Sequence, residues 1–270
     1  MYAWGALAAL GVAAASLWLM RPALGAAPEF KVLPSEGSSL EVALGRPPLP
    51  AAQEAALRAL ALRDPGTAAR PYPSDMEHKG PMRELALSAE EEQALAQELA
   101  AARAAAAGLD TPAKARAAGY IQSSEGIPGI GAHWVNWTLI DKPFDPARPS
   151  MLLFATLGGR ERLVGYSYFM QSDTEPEGFA GKGDEWHLHG SLCIVNGWHA
   201  SEGKPKEDCP GTWLYASTLW MSHAWVVPEF ESPWGVFSTY NPTVCPDGTE
   251  PQCADLRPPG SVPGMEHAHH

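Results

Sequence analysis

The pattern of apolar and polar positions changes at Tyr120. Before it, alanine and leucine recur at helical spacing between helix-end signals. Ala51 to Arg63 reads as a helix that ends at the Asp64-Pro65-Gly66 break. A second helix is predicted from Ser88, whose hydroxyl suits an N-cap, to Gly108, with Glu90, Glu91 and Glu92 opening it on the favourable side of the helix dipole. Thr111-Pro112 starts a short helix through Ala118, because proline at the first helical position loses no hydrogen bond. So many alanines leave a thin apolar face, so these helices are expected to lie on the surface of a larger body.

After Tyr120 the apolar runs are short, often alternating, and broken by Gly, Pro and Asp. Gly131 to Ile140 reads as a strand with His133, Val135, Trp137 and Leu139 on one face. Met151–Leu157 and Leu163–Met170 read as strands joined in a hairpin by Gly158-Gly159-Arg160. Glu185–Val195 is the next strand, followed by Trp213–Leu219, Met221–Val227 and a short Gly235–Tyr240. The fold class expected is α+β: a mainly antiparallel β sandwich or small barrel, cupin-like in one form, with an N-terminal Ala-rich helical extension. The expected division is residues 1–27 as signal peptide or anchor, 28–119 as Ala/Pro-rich linker and helices, 120–243 as β-rich core, and 244–270 as a Pro/His-rich tail.

Composition narrows the function. Ten Trp, seven Tyr and seven Phe in 270 residues can fill a core, while Gly 26 and Pro 26 argue against a helical bundle. A net charge of −12 with only 19 Lys+Arg offers no electrostatic footprint for nucleic acid. Met1 to Met20 carry no charge before Arg21, a length that can span a bilayer, and Ala23-Leu24-Gly25 followed by Ala26-Ala27 looks like a signal-peptidase site. Export with cleavage is therefore expected, or a membrane anchor through residues 1–20. Either way the body of the protein is placed in the periplasm or outside the cell. Four cysteines fit an oxidising compartment, and proximity favours Cys193–Cys209 and Cys245–Cys253.

The most specific chemistry is Trp186-His187-Leu188-His189. On a strand His187 and His189 face the same way, with Cα atoms about 6.6 Å apart, so their imidazoles can meet on one ion. His133 and His223 sit in aromatic, strand-like settings where an unpaired imidazole would be costly. The expected ligands are His187, His189 and His223, with His133 as a fourth; copper or zinc suits such a nitrogen-rich set best, and iron, nickel or manganese are alternatives. Glu185 lies about 13 Å along the strand from His189, too far to share the ion, and is cast instead as an outer hydrogen-bonding group or general base. His199, inside the loop closed by Cys193–Cys209, and His78 are expected to be solvated. His267, His269 and His270 form a tail with adventitious metal affinity. The competing reading of the same four histidines is a set of hydrogen-bonded core residues in a structural or interaction module. No phosphate-binding loop, Gly-x-Ser-x-Gly elbow or His-Glu-x-x-His helix is present, and Asn136-Trp137-Thr138 matches a glycosylation sequon.

His187-Leu188-His189, with His223 further on, is similar to the first metal motif of cupins. It departs from that motif in placing Cys193 where an acidic ligand stands, and the spaced glycines and proline of the second cupin motif do not line up. The combination of Gly131-Ala132-His133-Trp134, Trp186-His187-Leu188-His189 with Cys193, and Met221-Ser222-His223-Ala224-Trp225 also resembles an uncharacterised family of exported bacterial proteins. That resemblance implies no activity, but it implies that the four histidines belong together. The function expected is an exported metal-binding protein that handles or senses copper or zinc. A mononuclear cupin-like metalloenzyme is the alternative.

Overall fold

Nine strands among the described residues form two antiparallel sheets. The computed structural model describes residues 36–64, 66, 80–82 and 86–256, all within one unit, Pro34–His270. The expected export segment, His78 and the three tail histidines lie outside the described residues.

The large sheet runs in the order β1 (Ile121–Gln122), β2 (Ala132–Val135), β3 (Met151–Leu157), β4 (Arg160–Gln171), β9 (Leu219–Ala224) and β5 (His187–Leu188). The small sheet runs in the order β7 (Trp198–Glu202), β6 (Leu192–Val195) and β8 (Thr212–Leu214). Strand alternation sends Val135, Met151, Phe169 and Met221 to one face of the large sheet, where they pack with Leu192, Ile194 and Leu214 of the small sheet. The two sheets therefore stack face to face, and the fold is an α+β protein built on an antiparallel sandwich.

Helices cover what the sheets leave exposed. The other face of the large sheet, with Trp134, Leu152, Tyr166, Tyr168 and Ala224, packs on α3 (Ala89–Ala106) and α4 (Pro112–Ala117). Ser88 begins α3 with a reciprocal capping box: its hydroxyl accepts from Glu91 N, and the Glu91 carboxylate accepts from Ser88 N at 2.8 Å. α1 (Glu36–Leu44), which the Ala/Pro-rich pattern does not announce, packs Ala43 against Cys193, Val195, Trp198 and Ala200 on the outside of the small sheet. α2 (Ala51–Arg63) inserts Leu57 and Leu60 into the inter-sheet core. Its buried Gln53 donates to Asn136 Oδ1 at 3.0 Å and accepts from Trp137 N at 2.7 Å.

Four strand expectations are corrected. β2 stops at Val135, because Asn136 Oδ1 accepts from Thr138 N and turns the chain into a 3₁₀ helix at Trp137–Leu139. The stretch Glu185–Val195 is not one strand: His187–Leu188 joins the large sheet, and Leu192–Val195 joins the small one. Trp213–Leu219 is likewise divided between β8 and β9, with Ala216 at a φ of 62° between them. Gly235–Tyr240 is an irregular segment whose carbonyls face inward, as the Ser238 oxygen accepting from Trp225 Nε1 at 2.7 Å shows. Both proposed disulfides are formed, Cys193–Cys209 and Cys245–Cys253. Among the described residues no helix is long and apolar enough to cross a membrane.

Gly131 sits at the start of β2 with a φ of 92°, and a Cβ there would lie 2.6 Å from the Phe154 carbonyl oxygen. Both the left-handed backbone and the close approach require glycine. Gly131→Ala is expected to lower stability by more than about 1 kcal/mol in urea titration; an unchanged midpoint would show that β2 does not depend on this approach.

Candidate metal centre

Four histidines meet in the space between the sheets. His133 on β2 shares the inner face with Val135, and His223 on β9 shares it with Met221. β3 and β4 separate those two strands, about 14 Å on a flat sheet at ~4.8 Å per spacing. The rings are nevertheless 5.7 Å apart between centroids, so the sheet curls with this face concave. Between them β4 presents Gly165 and Ser167 to this face, small enough to leave the rings room. His187 lies directly opposite Met221 and places its ring 5.7 Å from that of His223. His189, just beyond the end of β5, completes the series at 5.4 Å from His187.

The hydrogen bonds around these rings have a common form. His223 is 2% exposed, and its Nδ1 donates to the Thr239 carbonyl at 2.7 Å. His189 Nδ1 lies 3.2 Å from the Glu202 carboxylate, which also accepts from Gly190 N at 2.7 Å. His133 Nδ1 lies 3.4 Å from Ser124 Oγ, which also accepts from His133 N at 2.9 Å. At His223 the carbonyl acceptor assigns the proton to Nδ1, and in this neutral ring Nε2 keeps its lone pair. The Nε2 atoms of His133 and His223 are buried and meet no protein hydrogen-bond partner among the described residues, and neither does His187 Nδ1.

Burial suppresses protonation. It holds His133 and His187 well below the usual imidazole range, with neighbouring imidazoles adding to the shift. His223 is lowered to about 4 by burial, in part offset by its bond to the Thr239 carbonyl. Burial works to raise Glu202, but the adjacent His189 and its hydrogen bond outweigh this and keep the carboxyl below its ordinary value. His133, His187 and His223 are thereby held neutral, and the Glu202 carboxylate stands beside His189.

Two imidazoles on one trigonal or tetrahedral ion have ring centres about 5.2–5.5 Å apart, given metal–nitrogen bonds of about 2.0–2.1 Å. The successive separations here are 5.4, 5.7 and 5.7 Å. As the side chains stand, no group of three or more His, Cys, Asp or Glu among the described residues is arranged to hold a metal ion.

All four predicted histidines are thus brought together. Glu185 is placed at the rim: its Oε2 accepts from Thr239 Oγ1 at 3.2 Å, one residue's backbone away from His223. Cys193 is in a disulfide, on the far side of the small sheet. Ser222 and His223 point to opposite faces, as adjacent strand residues must. Asn136 is buried and hydrogen-bonded, which puts its sequon out of reach of a glycan.

His199 overturns the expectation of a solvated loop residue. It lies on β7 opposite Ile194, with its Nε2 buried and unpartnered among the described residues, and burial lowers its pKa. No sequence pattern marks Glu202 or Met221 as neighbours of the site. The signal for β7 is Asn196-Gly197, a two-residue hairpin turn whose φ values are 50° and 79°. Given that hairpin, alternation turns His199 inward. Nothing local marks Thr239 or Ser124, which act through a backbone carbonyl and a loop hydroxyl.

A depression of about 460 Å³ lies elsewhere, between Glu54 and Arg58 of α2 and the segments Ile194–Asn196 and Pro210–Thr212, and includes none of the histidines. Comparison with protein-family models, curated proteins and solved structures found no match.

Unfolded histidines titrate near 6.5, whereas His133, His187, His199 and His223 are all lowered in the folded chain. The unfolded state therefore binds more protons below that value, and stability falls as pH drops from about 6.5 towards about 4. His223 alone accounts for about 3 kcal/mol of that loss at the acid end. Urea midpoints of the metal-free chain should be flat above neutral pH and decline through this window; midpoints constant across it would mean that the rings are solvated.

Proposed function

We propose that this chain is an exported metal-binding protein in which His133, His187, His189 and His223 bind a transition-metal ion, copper or zinc, for handling or sensing outside the cytoplasm. The observation that carries the reading is the treatment of Nδ1. In His223 and His189 it faces an oxygen acceptor that orients the ring, and in neutral His223 this leaves Nε2 as an electron-pair donor. An imidazole held through one nitrogen by a carboxylate or carbonyl is the usual arrangement behind a metal ligand. A buried lone pair with no donor to meet it is otherwise unfavourable by about 1–3 kcal/mol. Rotation of the rings about their side-chain bonds is the movement that would draw the donor atoms onto one ion. The two disulfides fit the oxidising compartment that export implies.

A second reading, a mononuclear metalloenzyme, is favoured by one feature. Thr239 links the Glu185 carboxylate to His223, placing a proton acceptor at the rim of the cluster. In that case Glu185 moves protons for a substrate held at an open position on the ion. A structural module, the third reading, leaves the Nε2 lone pairs without a purpose.

Metal content separates these. In the full chain carrying His267→Ala, His269→Ala and His270→Ala, elemental analysis should find about one ion per chain, lost when His187→Ala and His189→Ala are added. Glu202→Gln should weaken binding by about 10–100-fold while the fold is kept. Sub-stoichiometric metal that the histidine substitutions leave unchanged would eliminate both metal readings.

A further inference from the structure

A hydroxyl that the candidate centre does not use stands among its imidazoles. Ser167 on β4 lies directly opposite His223 on β9, so both side chains rise from the inner face. Ser167 is fully buried and His223 is 2% exposed, and neither Ser167 Oγ nor His223 Nε2 meets a hydrogen-bond partner among the described residues. His133 Nε2 is a third buried atom of this kind, on a ring 5.7 Å from that of His223. β3 and β4 run between the strands that carry those two rings, which puts Ser167 on the floor of the gap.

The needs of these atoms define what satisfies them. His223 gives its Nδ1 proton to the Thr239 carbonyl at 2.7 Å, so Nε2 of the neutral ring requires a donor. Ser167 Oγ has one proton to give and lone pairs to receive another. The two do not bond directly. Directly opposed Cβ atoms are about 4.5–5.5 Å apart, and a serine oxygen is one bond from Cβ whereas Nε2 is at the far end of its ring. The atoms thus stand at different heights over the sheet, a step that one small molecule spans. Ammonium has no lone pair for the serine proton, an anion has no proton for His223, and an isolated ion is costly at this depth. We propose that Ser167, His223 and His133 hold one internal water molecule on the floor of the cluster. It donates to His223 Nε2 and bonds to Ser167 Oγ, and it gives to or takes from His133 Nε2 according to that ring's tautomer. Three partners is the usual number for a buried water. A chain that binds and releases an ion has to meet these lone pairs when no ion holds them. The water does so, and an ion bound through the same Nε2 atoms displaces it.

The test is a high-resolution crystal structure of the full chain purified with a chelator, with diffraction recorded on both sides of the copper and zinc absorption edges. One light atom should stand about 2.7–3.2 Å from Ser167 Oγ, His223 Nε2 and His133 Nε2, with no anomalous signal. In solution, oxygen-17 relaxation dispersion counts long-lived internal waters. Ser167→Val puts a methyl group where the hydroxyl stands, and should lower that count by about one. If this variant does not fold, the density in the unsubstituted chain decides alone. A direct Ser167 Oγ–His223 Nε2 hydrogen bond, no density among the three atoms, or an unchanged water count would overturn the proposal and leave the metal reading where it stands. An anomalous peak that survives the chelator would overturn the water and support the histidine centre.

Discussion

An imidazole shut away from water has two nitrogens to satisfy, and the space between these sheets holds several at once. Burial and mutual repulsion disfavour protonating His133, His187 and His223, so these rings are neutral and each has one nitrogen that accepts. At His223 the Thr239 carbonyl decides which nitrogen that is; at His189 the Glu202 carboxylate decides it. Much of the surrounding structure serves to keep those oxygens where they are. The segment after Gly235 remains irregular and can turn a carbonyl inward because Asn241 pins it, donating to the Phe230 carbonyl at 2.8 Å and accepting from Thr243. Glu202 is held by Gly190 N at the point where the chain leaves the large sheet for the small one.

The sandwich explains why such a cluster can exist. A helix bundle would present histidines along separate stripes, whereas here β2, β9 and β5 bring theirs to one concave face. The apolar layer of Val135, Met151, Phe169, Leu192, Ile194 and Leu214 packs beside the polar group and supplies the burial that depresses the imidazoles. Helices α1 and α3 shield the outer faces, and α2 closes the layer through Gln53, whose amide serves Asn136 and the Trp137 backbone together. Charge plays a smaller part elsewhere: ion pairs such as Arg58–Glu54 and Lys114–Asp110 lie at the surface, where such pairs contribute about 0–1 kcal/mol each.

Local rules made much of this legible. Ser88, Thr111 and the glutamates after Ser88 mark helix starts through caps that are indeed formed, and Gly158-Gly159 marks the hairpin between β3 and β4. His187 and His189 stand out through period-two spacing, and His133 and His223 through their aromatic neighbours. What period-two reasoning cannot see is a strand that changes sheets: apolarity continues from Trp186 to Val195 although the chain passes from one sheet to the other. Nor can it see curvature, which brings His133 and His223 together across two intervening strands. His199 is masked because it lies inside the loop closed by Cys193–Cys209, although Asn196-Gly197 just before it makes the turn that puts it on a strand. Thr239 acts through its backbone, so no side-chain pattern announces it.

The most direct measurement is the protonation state of the rings themselves, read by long-range ¹⁵N–¹H correlation on histidine-labelled chain near neutral pH. The account predicts that His189 and His223 carry a proton on Nδ1, that the Nε2 atom of His223 is unprotonated, and that one equivalent of metal shifts the Nε2 resonances and not the Nδ1 ones. Protons on Nε2, or Nε2 signals indifferent to every metal added, would contradict it.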